Sequence, residues 1–564
     1  MLHLEIKRLN RDLLLIAAFS VAAMLPAIYY GVPTSNDQAQ HYQFAWTLYE
    51  SIRSGEIYPS VTGVVNHGFG DVGLRFYPPF AFYVLSILNL LIADWYITSL
   101  LAFTLVFFAG SVGIYLWARE EFEPHQALIA AAVYTFAPYH LNLIYNNFLL
   151  AEFFATAILP FCFLFLTRVC RRGQWIDACG LTAAFALLIL THLPMTIIGS
   201  IALALYGFVI LWNRPVVRTL PVVRTLARLF VAVPLAAVMT SFYWSRMLPE
   251  LEWVQHFSPK FFSDQWSYGA NFLLEPSHFI NFGENAQNLW LADVMLLTML
   301  VISIPTVIYF MRGSRKYSPL ILGVTVVSVL AMFMTTPLSA FIWDNIGLLQ
   351  KIQFPWRWMS IVSLFGALFA SIGIKRASDS IKENNNVAVT IGLGSVLVIF
   401  VFTAAFITKS AVYVSRSALD NQVENTAEGE SCECWWPVWA NRRAFDQTRP
   451  IFSPGGESAV EEWSAGAKHF RVAAGEPTTA TLKVFYYPRW QAFVNEVQVP
   501  VEKTPNGAIS LAIPASSSDV RLVFIEPAYV KAAFIFSAAA WFFVICFAAV
   551  LSFKRLGAAP LMQI

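Results

Sequence analysis

The segment Ser35-Asn36-Asp37-Gln38-Ala39-Gln40-His41-Tyr42 directly follows the first long apolar run, and it sets Asp37 and His41 four residues apart. On a helix that spacing puts both side chains on one face. A carboxylate held at a lipid–water boundary can act as a general base, taking a proton from an acceptor hydroxyl or amine. The same residues also read as a helix start, with Asn36 or Asp37 as N-cap. A third reading makes Asp37 and His41 two ligands of a metal site that needs a third and a fourth.

Other segments offer partners for such a base. Gly68-Phe69-Gly70-Asp71 leads to Arg75-Phe76-Tyr77-Pro78-Pro79, a loop punctuated by Gly and Pro in which Arg75 is expected either to meet an anionic headgroup or to snorkel. Glu152 follows Tyr145-Asn146-Asn147 and stands one turn into an apolar helix, as a second functional carboxylate or as an acid that suits the helix dipole. Thr191-His192-Leu193-Pro194 breaks two apolar runs, a turn in which His192 is a candidate ligand contact. Gln353-Phe354-Pro355-Trp356-Arg357-Trp358 opens a further helix, where Arg357 can grip a lipid phosphate in a fork while the tryptophans anchor the interface.

These residues need a membrane frame. Of 564 residues, 57% are hydrophobic and 13% charged, half the roughly 25% charge of a soluble domain. Apolar runs near 12–31, 95–117, 126–143, 148–167, 176–192, 195–211, 229–247, 288–311, 317–334, 352–374, 388–409 and 531–553 predict twelve membrane helices. Pro79–Ala93 falls short of the roughly 20 residues a span needs, so it is expected to lie in the outer interface. With the N-terminus inside, nineteen Lys and Arg fall in inner segments and six in short outer loops, the positive-inside signature. The expected location is therefore a bacterial inner membrane, multi-pass, with both termini cytoplasmic. Residues 1–410 form the membrane-embedded part with outer loops 32–78 and 249–287. Residues 411–530 form an extracytoplasmic β-rich domain, with a turn at Thr504-Pro505-Asn506-Gly507, and 531–564 hold the last helix and a short tail. PVVRTL at Pro215–Leu220 recurs at once as Pro221–Leu226, adding basic charge to an inner loop. Six cysteines make no disulfide framework, and the tight Cys432-x-Cys434 spacing argues against an easy mutual bridge. The net charge of +2 gives no reason to expect a nucleic-acid partner.

Taken together, these segments resemble the GT-C superfamily of membrane glycosyltransferases. More specifically they are similar to a YfhO-like branch of bacterial membrane proteins, labelled pyruvoyl-tetrahydropterin-synthase-related. The likeness is carried by Asp37 and His41, Phe76-Tyr77-Pro78-Pro79, Ala151-Glu152, His192-Leu193-Pro194, Gln353-Phe354-Pro355-Trp356-Arg357 and Tyr486-Tyr487-Pro488-Arg489-Trp490. It implies a polytopic α-helical fold of about 12–13 membrane helices, with a small β-sandwich before the last. It also implies an enzyme passing a sugar from a polyprenyl-phosphate donor to a glycan, lipid or protein acceptor at the outer face. Asp37 would be the base, Glu152 a second acid, and His41, Arg75, Tyr77, His192, Gln353 and Arg357 would contact substrate, with Arg357 on the donor phosphate. Asn36 stands where some members carry another acid, and Asn146-Asn147 where a basic residue is expected. No cofactor is named by these residues, and a divalent cation stays open. The rival reading is a non-catalytic lipid or glycan transporter, or an envelope assembly factor with a binding β-domain. Transporters of that kind show internal repeats and mid-membrane polar breaks, whereas the polar residues here gather at one surface.

Overall fold

A computed structural model of the chain describes residues 2–35, 37–212, 219–279, 289–298, 300–301, 318–384, 387–454 and 456–558. α1 (Leu2–Tyr30) leads into a short strand β1 (Val32–Thr34) and α2 (Gln38–Arg53). There follow α3 (Phe80–Ile92), α4 (Trp95–Ala118), α5 (Pro124–Thr135), α6 (Pro138–Tyr145), α7 (Leu150–Arg172), α8 (Trp175–Ile189), α9 (Leu193–Trp212), α10 (Thr219–Met239) and α11 (Ser241–Glu250). α12 (Leu289–Thr298) is a shorter apolar helix. Beyond it come α13 (Pro319–Met334), α14 (Ala340–Asn345), α15 (Gly347–Gln350), α16 (Met359–Asn384), α17 (Val387–Ser410), β2 (Val412–Val414) and α18 (Arg416–Glu428), and α19 (Ala528–Ala558) closes the chain.

Helices dominate because a backbone crossing lipid must satisfy its own hydrogen bonds. Among the described residues eight helices are long and apolar enough to cross a membrane, or nine if the α13–α14 pair, bent by 92°, counts as one. That is fewer than the twelve expected. α8 has only 15 residues because the chain turns at Thr191-His192, and residues 302–311 of the run 288–311 lie outside the described residues, as do 215–218 of the duplicated hexapeptide. Two further expected helices carry a break yet still supply spans counted among the eight: 126–143 is interrupted at Phe136–Ala137, ahead of Pro138, and 229–247 at Thr240. α4 packs on α1, α5 and α7, while α16 packs on α5 and α13. α7 and α16 form the buried middle; α10 and α19 turn apolar side chains such as Phe230 and Phe542 outward, as lipid-facing helices do.

Three distant pieces meet on one side of this bundle. β1, just after α1, pairs antiparallel with β2, just after α17, in the register Val32↔Val414 and Thr34↔Val412. Gly31, at φ +123°, makes the approach, because a Cβ there would lie 2.3 Å from the Val414 carbonyl oxygen. α18 then packs on α2 and α4. The sheet domain holds two antiparallel sheets. One has strands β3 (Ile451–Phe452), β6 (Thr478–Phe485), β10 (Ala508–Ile513) and β9 (Glu502–Lys503), in that spatial order. The other has β4 (Ser458–Trp463), β5 (Ala467–Val472), β11 (Ser518–Phe524), β7 (Trp490–Val494) and β8 (Val497–Val499). Leu482, Leu511, Phe470 and Leu522 are buried in its core. The turn expected at Thr504–Gly507 is present, with the Gly507 amide donating to the Thr504 carbonyl. Cys432 and Cys434, against expectation, are bridged. The chain turns sharply into a 3-10 helix at Glu433–Trp435 and brings their Cα atoms to 5.2 Å, within the span a disulfide covers.

A buried ion cluster locks the pieces together. The Arg75 guanidinium donates through Nε and Nη2 to Glu250 at 2.9 and 3.0 Å. Its Nη1 donates to Glu526 at 2.5 Å and to the Ser60 carbonyl at 3.1 Å, and Nη2 also donates to Glu526 at 3.3 Å. All five donors are thereby engaged. Glu250 also accepts from the Tyr487 hydroxyl at 2.7 Å and from Arg489 Nε at 2.8 Å, so the Tyr-Tyr-Pro-Arg-Trp motif docks the sheet domain onto the end of α11. Arg246 adds a second cation, 3.3 Å from Glu526. The expectation that Arg75 meets an anionic headgroup is therefore corrected: two carboxylates and a carbonyl consume its fork.

Breaking a buried pair leaves an uncompensated charge and costs about 3–5 kcal/mol. Glu250→Gln is accordingly expected to lower the melting temperature of the detergent-solubilised protein markedly. An unchanged melting curve would show that these charges are hydrated and that the cluster does not hold the domains together.

Candidate functional site

α2 starts at Asp37, and the His41 amide donates to the Asp37 carbonyl at 3.1 Å. The Asp37 carboxylate itself makes no capping hydrogen bond, and its backbone is helical (φ −87°, ψ −6°) rather than extended. The residue stands at the N-cap position without the side-chain role that would explain it. Unlike its neighbours Gln38 and His41, Asp37 is open to solvent. Protein surrounds it densely all the same, and desolvation raises its pKa above the usual carboxylate range while the charge of Arg357 pulls it back down.

That arginine belongs to the helix start the sequence pointed to. Pro355–Trp358 forms a 3-10 turn that feeds α16. Arg357 Nε donates to Glu152 Oε2 at 2.9 Å, and Nη1 donates to the Ile352 carbonyl at 2.6 Å. Its guanidinium lies over Phe354, 4.7 Å from the ring centroid. These two bonds use two of five donors. In contrast to Arg75, three N–H groups of Arg357 have no partner among the described residues. Glu152 sits in the first turn of α7 and is 1% exposed. Its Oε1 accepts from the Tyr139 hydroxyl, so both carboxylate oxygens are occupied.

The histidines complete the surroundings. His41 is buried, with Tyr77, Phe82 and Phe148 ring centroids at 5.8, 5.9 and 6.3 Å. Burial lowers its pKa to about 3, so it is a neutral imidazole at physiological pH. Its Nδ1 and the neighbouring Gln38 Nε2 are buried without a hydrogen-bond partner. Buried polar atoms are almost always paired, and exceptions mark sites that serve something other than stability. His192 is also buried, its Nδ1 accepting from the Met195 amide at 3.3 Å, and it lies near enough to Arg357 and His41 to feel both electrostatically. The Tyr77 phenol is pushed up by burial and by the charge of Asp37, which keeps it a hydrogen-bond donor.

Asp37, His41, Tyr77, Glu152, His192 and Arg357 thus share one neighbourhood, although they come from five separate segments. Arg75 lies in the ion cluster instead. Gln353, in a left-handed conformation (φ +68°), donates its amide to the Phe261 carbonyl at 2.8 Å and so holds the loop that follows α11. Sequence reasoning missed Tyr139, Glu250 and Glu526. Tyr139 gives no signal beyond its place in Pro138-Tyr139-His140; Glu526, just ahead of the last helix, reads as a dipole partner, whereas Glu250 stands at the C-terminal end of α11, where the dipole disfavours an acid. Over the site, Trp435 stacks on His256 at 4.6 Å and meets the Tyr77 ring edge-on at 5.9 Å. Asn36, where the resemblance expects an acid, lies outside the described residues.

As for metals, Asp37 and His41 belong to no trio of His, Cys, Asp and Glu close enough to share an ion among the described residues. The one such trio is Glu461, His469 and Asp519 on the sheet domain. There each ring nitrogen of His469 already faces a carboxylate, at 3.1 and 3.0 Å, and Arg471 stands 2.9 Å from Glu461.

Solved structures similar at low identity include the following three. The Archaeoglobus fulgidus oligosaccharyltransferase in its apo form is 14% identical, over 78% of this chain and 57% of its own, with a TM-score of 0.38. ArnT from Cupriavidus metallidurans, solved bound to undecaprenyl phosphate, is 15% identical over 74% of this chain and 73% of its own, at 0.37. The arabinosyltransferase EmbB from Mycobacterium smegmatis is 12% identical over 90% and 62%, at 0.32. The chain spans little more than half the length of the oligosaccharyltransferase, and at such TM-scores these likenesses carry no argument. No curated protein matches the sequence. The decisive match is to a family description, "6-pyruvoyl-tetrahydropterin synthase related domain; membrane protein", over residues 74–408. That stretch is more than half of the chain and takes in Tyr77, Glu152, His192 and Arg357. The chain belongs to the 6-pyruvoyl-tetrahydropterin synthase related family of membrane proteins.

Proposed function

We propose that this protein is a membrane glycosyltransferase of the GT-C type, moving a sugar from a polyprenyl-phosphate donor to an acceptor at the extracytoplasmic face. The observation that carries the reading is the pairing of an uncommitted carboxylate, Asp37, with an arginine that keeps three donors unspent. Arg357 is the group for a donor phosphate: its planar fork suits phosphate oxygens, and Glu152 with the Ile352 carbonyl fixes its orientation. The acceptor hydroxyl attacks the anomeric carbon as the bond to the phosphate oxygen breaks, and the electron pair leaves on the polyprenyl phosphate. Asp37 takes the acceptor's proton. Configuration at the anomeric carbon is inverted. Positioning and charge stabilisation account for most of the acceleration, as in other transfers that need no covalent intermediate.

Glu152 then serves to orient Arg357 rather than to contact the acceptor. Tyr77 and the neutral His41 supply a donor and an acceptor for sugar hydroxyls. The extracytoplasmic orientation is supported by the Lys and Arg bias between loops, and by the Cys432–Cys434 bridge, since disulfides persist in oxidising compartments. The β1–β2 pairing, which joins the residues before Asp37 to those that lead toward the sheet domain, supports a common side for the two.

With radiolabelled polyprenyl-phosphate sugars and the reconstituted protein, Asp37→Asn is expected to lose about 10²–10⁴-fold in transfer rate, the range for a lost general base. Equal rates in the two proteins would sink the mechanism. The pH profile gives a second check. Asp37 works as a carboxylate, and Arg357 holds its pKa down against desolvation. In Arg357→Gln the acid limb of the residual activity should therefore move to higher pH, and a limb that stays in place would separate the two residues.

A further inference from the structure

A cleft of about 430 Å³ opens between the second outer loop and the bend from α13 to α14, walled by Ser267, Tyr268, Phe272, Glu275, Ala340 and Asp344. We infer that it is a distal acceptor subsite, taking a phosphate-free sugar unit of a glycan presented at the membrane surface. This rests on the sugar-transfer reading of the central site.

Its size falls within the range of small-molecule pockets, roughly 300–1,000 Å³. The Tyr268 ring is backed by Trp343 at 5.9 Å and an interplanar angle of 14°, and its hydroxyl donates to Asp344 Oδ1 at 2.7 Å. Phe272 stands edge-on to it at 6.3 Å. A fixed aromatic plane beside hydrogen-bonding groups suits a ligand with one apolar face and a rim of hydroxyls. Glu275 and Asp344 enter no ion pair among the described residues, and carboxylates only accept hydrogen bonds, which matches sugar hydroxyls. Among the described residues no Lys, Arg or His lines the cleft, so a phosphate there would meet two like charges without a cation from those walls. The donor phosphate therefore belongs at Arg357. The two places are linked through aromatic contacts, Arg357 over Phe354 and Phe354 against Trp266 at 6.2 Å, with Trp266 next to the lining residue Ser267. Leu338 and Phe341 beside the cleft are exposed, at 74% and 63%. This apolar rim puts the cleft at the boundary between lipid and water.

The test uses the full chain in detergent micelles and saturation-transfer NMR with cellotriose, maltotriose, tri-N-acetylchitotriose and glucose 6-phosphate. At least one trisaccharide should receive saturation, reduced about three- to tenfold by Tyr268→Ala, the size expected for losing an aromatic contact. The surface change Glu275→Gln/Asp344→Asn should reduce it similarly, and it carries the test if Tyr268→Ala fails to fold. Asp37→Asn should bind like wild type, and glucose 6-phosphate should not bind. Silence from all three trisaccharides overturns the inference. So does signal that ignores both cleft variants, signal that vanishes in Asp37→Asn, or equal binding of the sugar phosphate. Cleft-dependent binding without transfer from any lipid-linked donor would refute the glycosyltransferase reading and leave the binding site standing.

Discussion

Arg75 is the one side chain on which the far side of this molecule depends. It is buried, and its charge is tolerable only because Glu250 and Glu526 take up its donors together with a carbonyl. Those partners come from the end of α11 and from the residues that lead into α19, while Tyr487 and Arg489 bring the sheet domain to the same carboxylate. A buried ion cluster need not add net stability over apolar packing. It does penalise every arrangement in which one member is missing, and so it specifies how loop, helix and sheet domain must meet. The ring faces of Tyr487 and Phe524 against the Arg75 guanidinium, at 5.8 and 5.4 Å, add cation–π contact within the same cluster.

That constraint separates the two arginines that the sequence offered for phosphate binding. Arg75 is spent on structure. Arg357 is half-spent: Glu152 and one carbonyl fix its plane, and its charge is felt at Asp37. A guanidinium oriented in advance loses less entropy on gripping an anion than a mobile one does. The carboxylate that fixes it is in turn held by Tyr139.

The roof above these groups is built from pieces that are themselves pinned. Ser431 and Asn66 hydrogen-bond reciprocally, and the Trp436 indole donates to Asn66 at 3.1 Å. Asp71 accepts from Ser431 at 2.9 Å, and burial raises its pKa to about 6. The Cys432 amide donates to Gln40 on α2 at 2.6 Å. The segment carrying the disulfide is therefore fastened to the same helix whose N-cap position is held by Asp37.

The sequence by itself determined the membrane frame, the helix-rich bundle and the location of a sheet domain before the last helix, because long apolar runs and short β-branched stretches are local properties of the chain. Its polar motifs also gathered Asp37, Glu152 and Arg357 as candidates, since ionisable groups beside hydrocarbon are costly and rare enough to stand out. Some features could not be read locally. The helix breaks at Phe136–Ala137 and Thr240 lie within continuous apolar runs, and the Cys432–Cys434 bridge depends on a turn that the spacing alone argued against. Above all, only the tertiary structure decided what each charge does. Arg75 and Arg357 stand in similar surroundings in sequence, next to aromatics and prolines, yet they differ in function because their carboxylate partners lie 175 and 205 residues away, and which donors remain unspent is fixed by how distant segments pack.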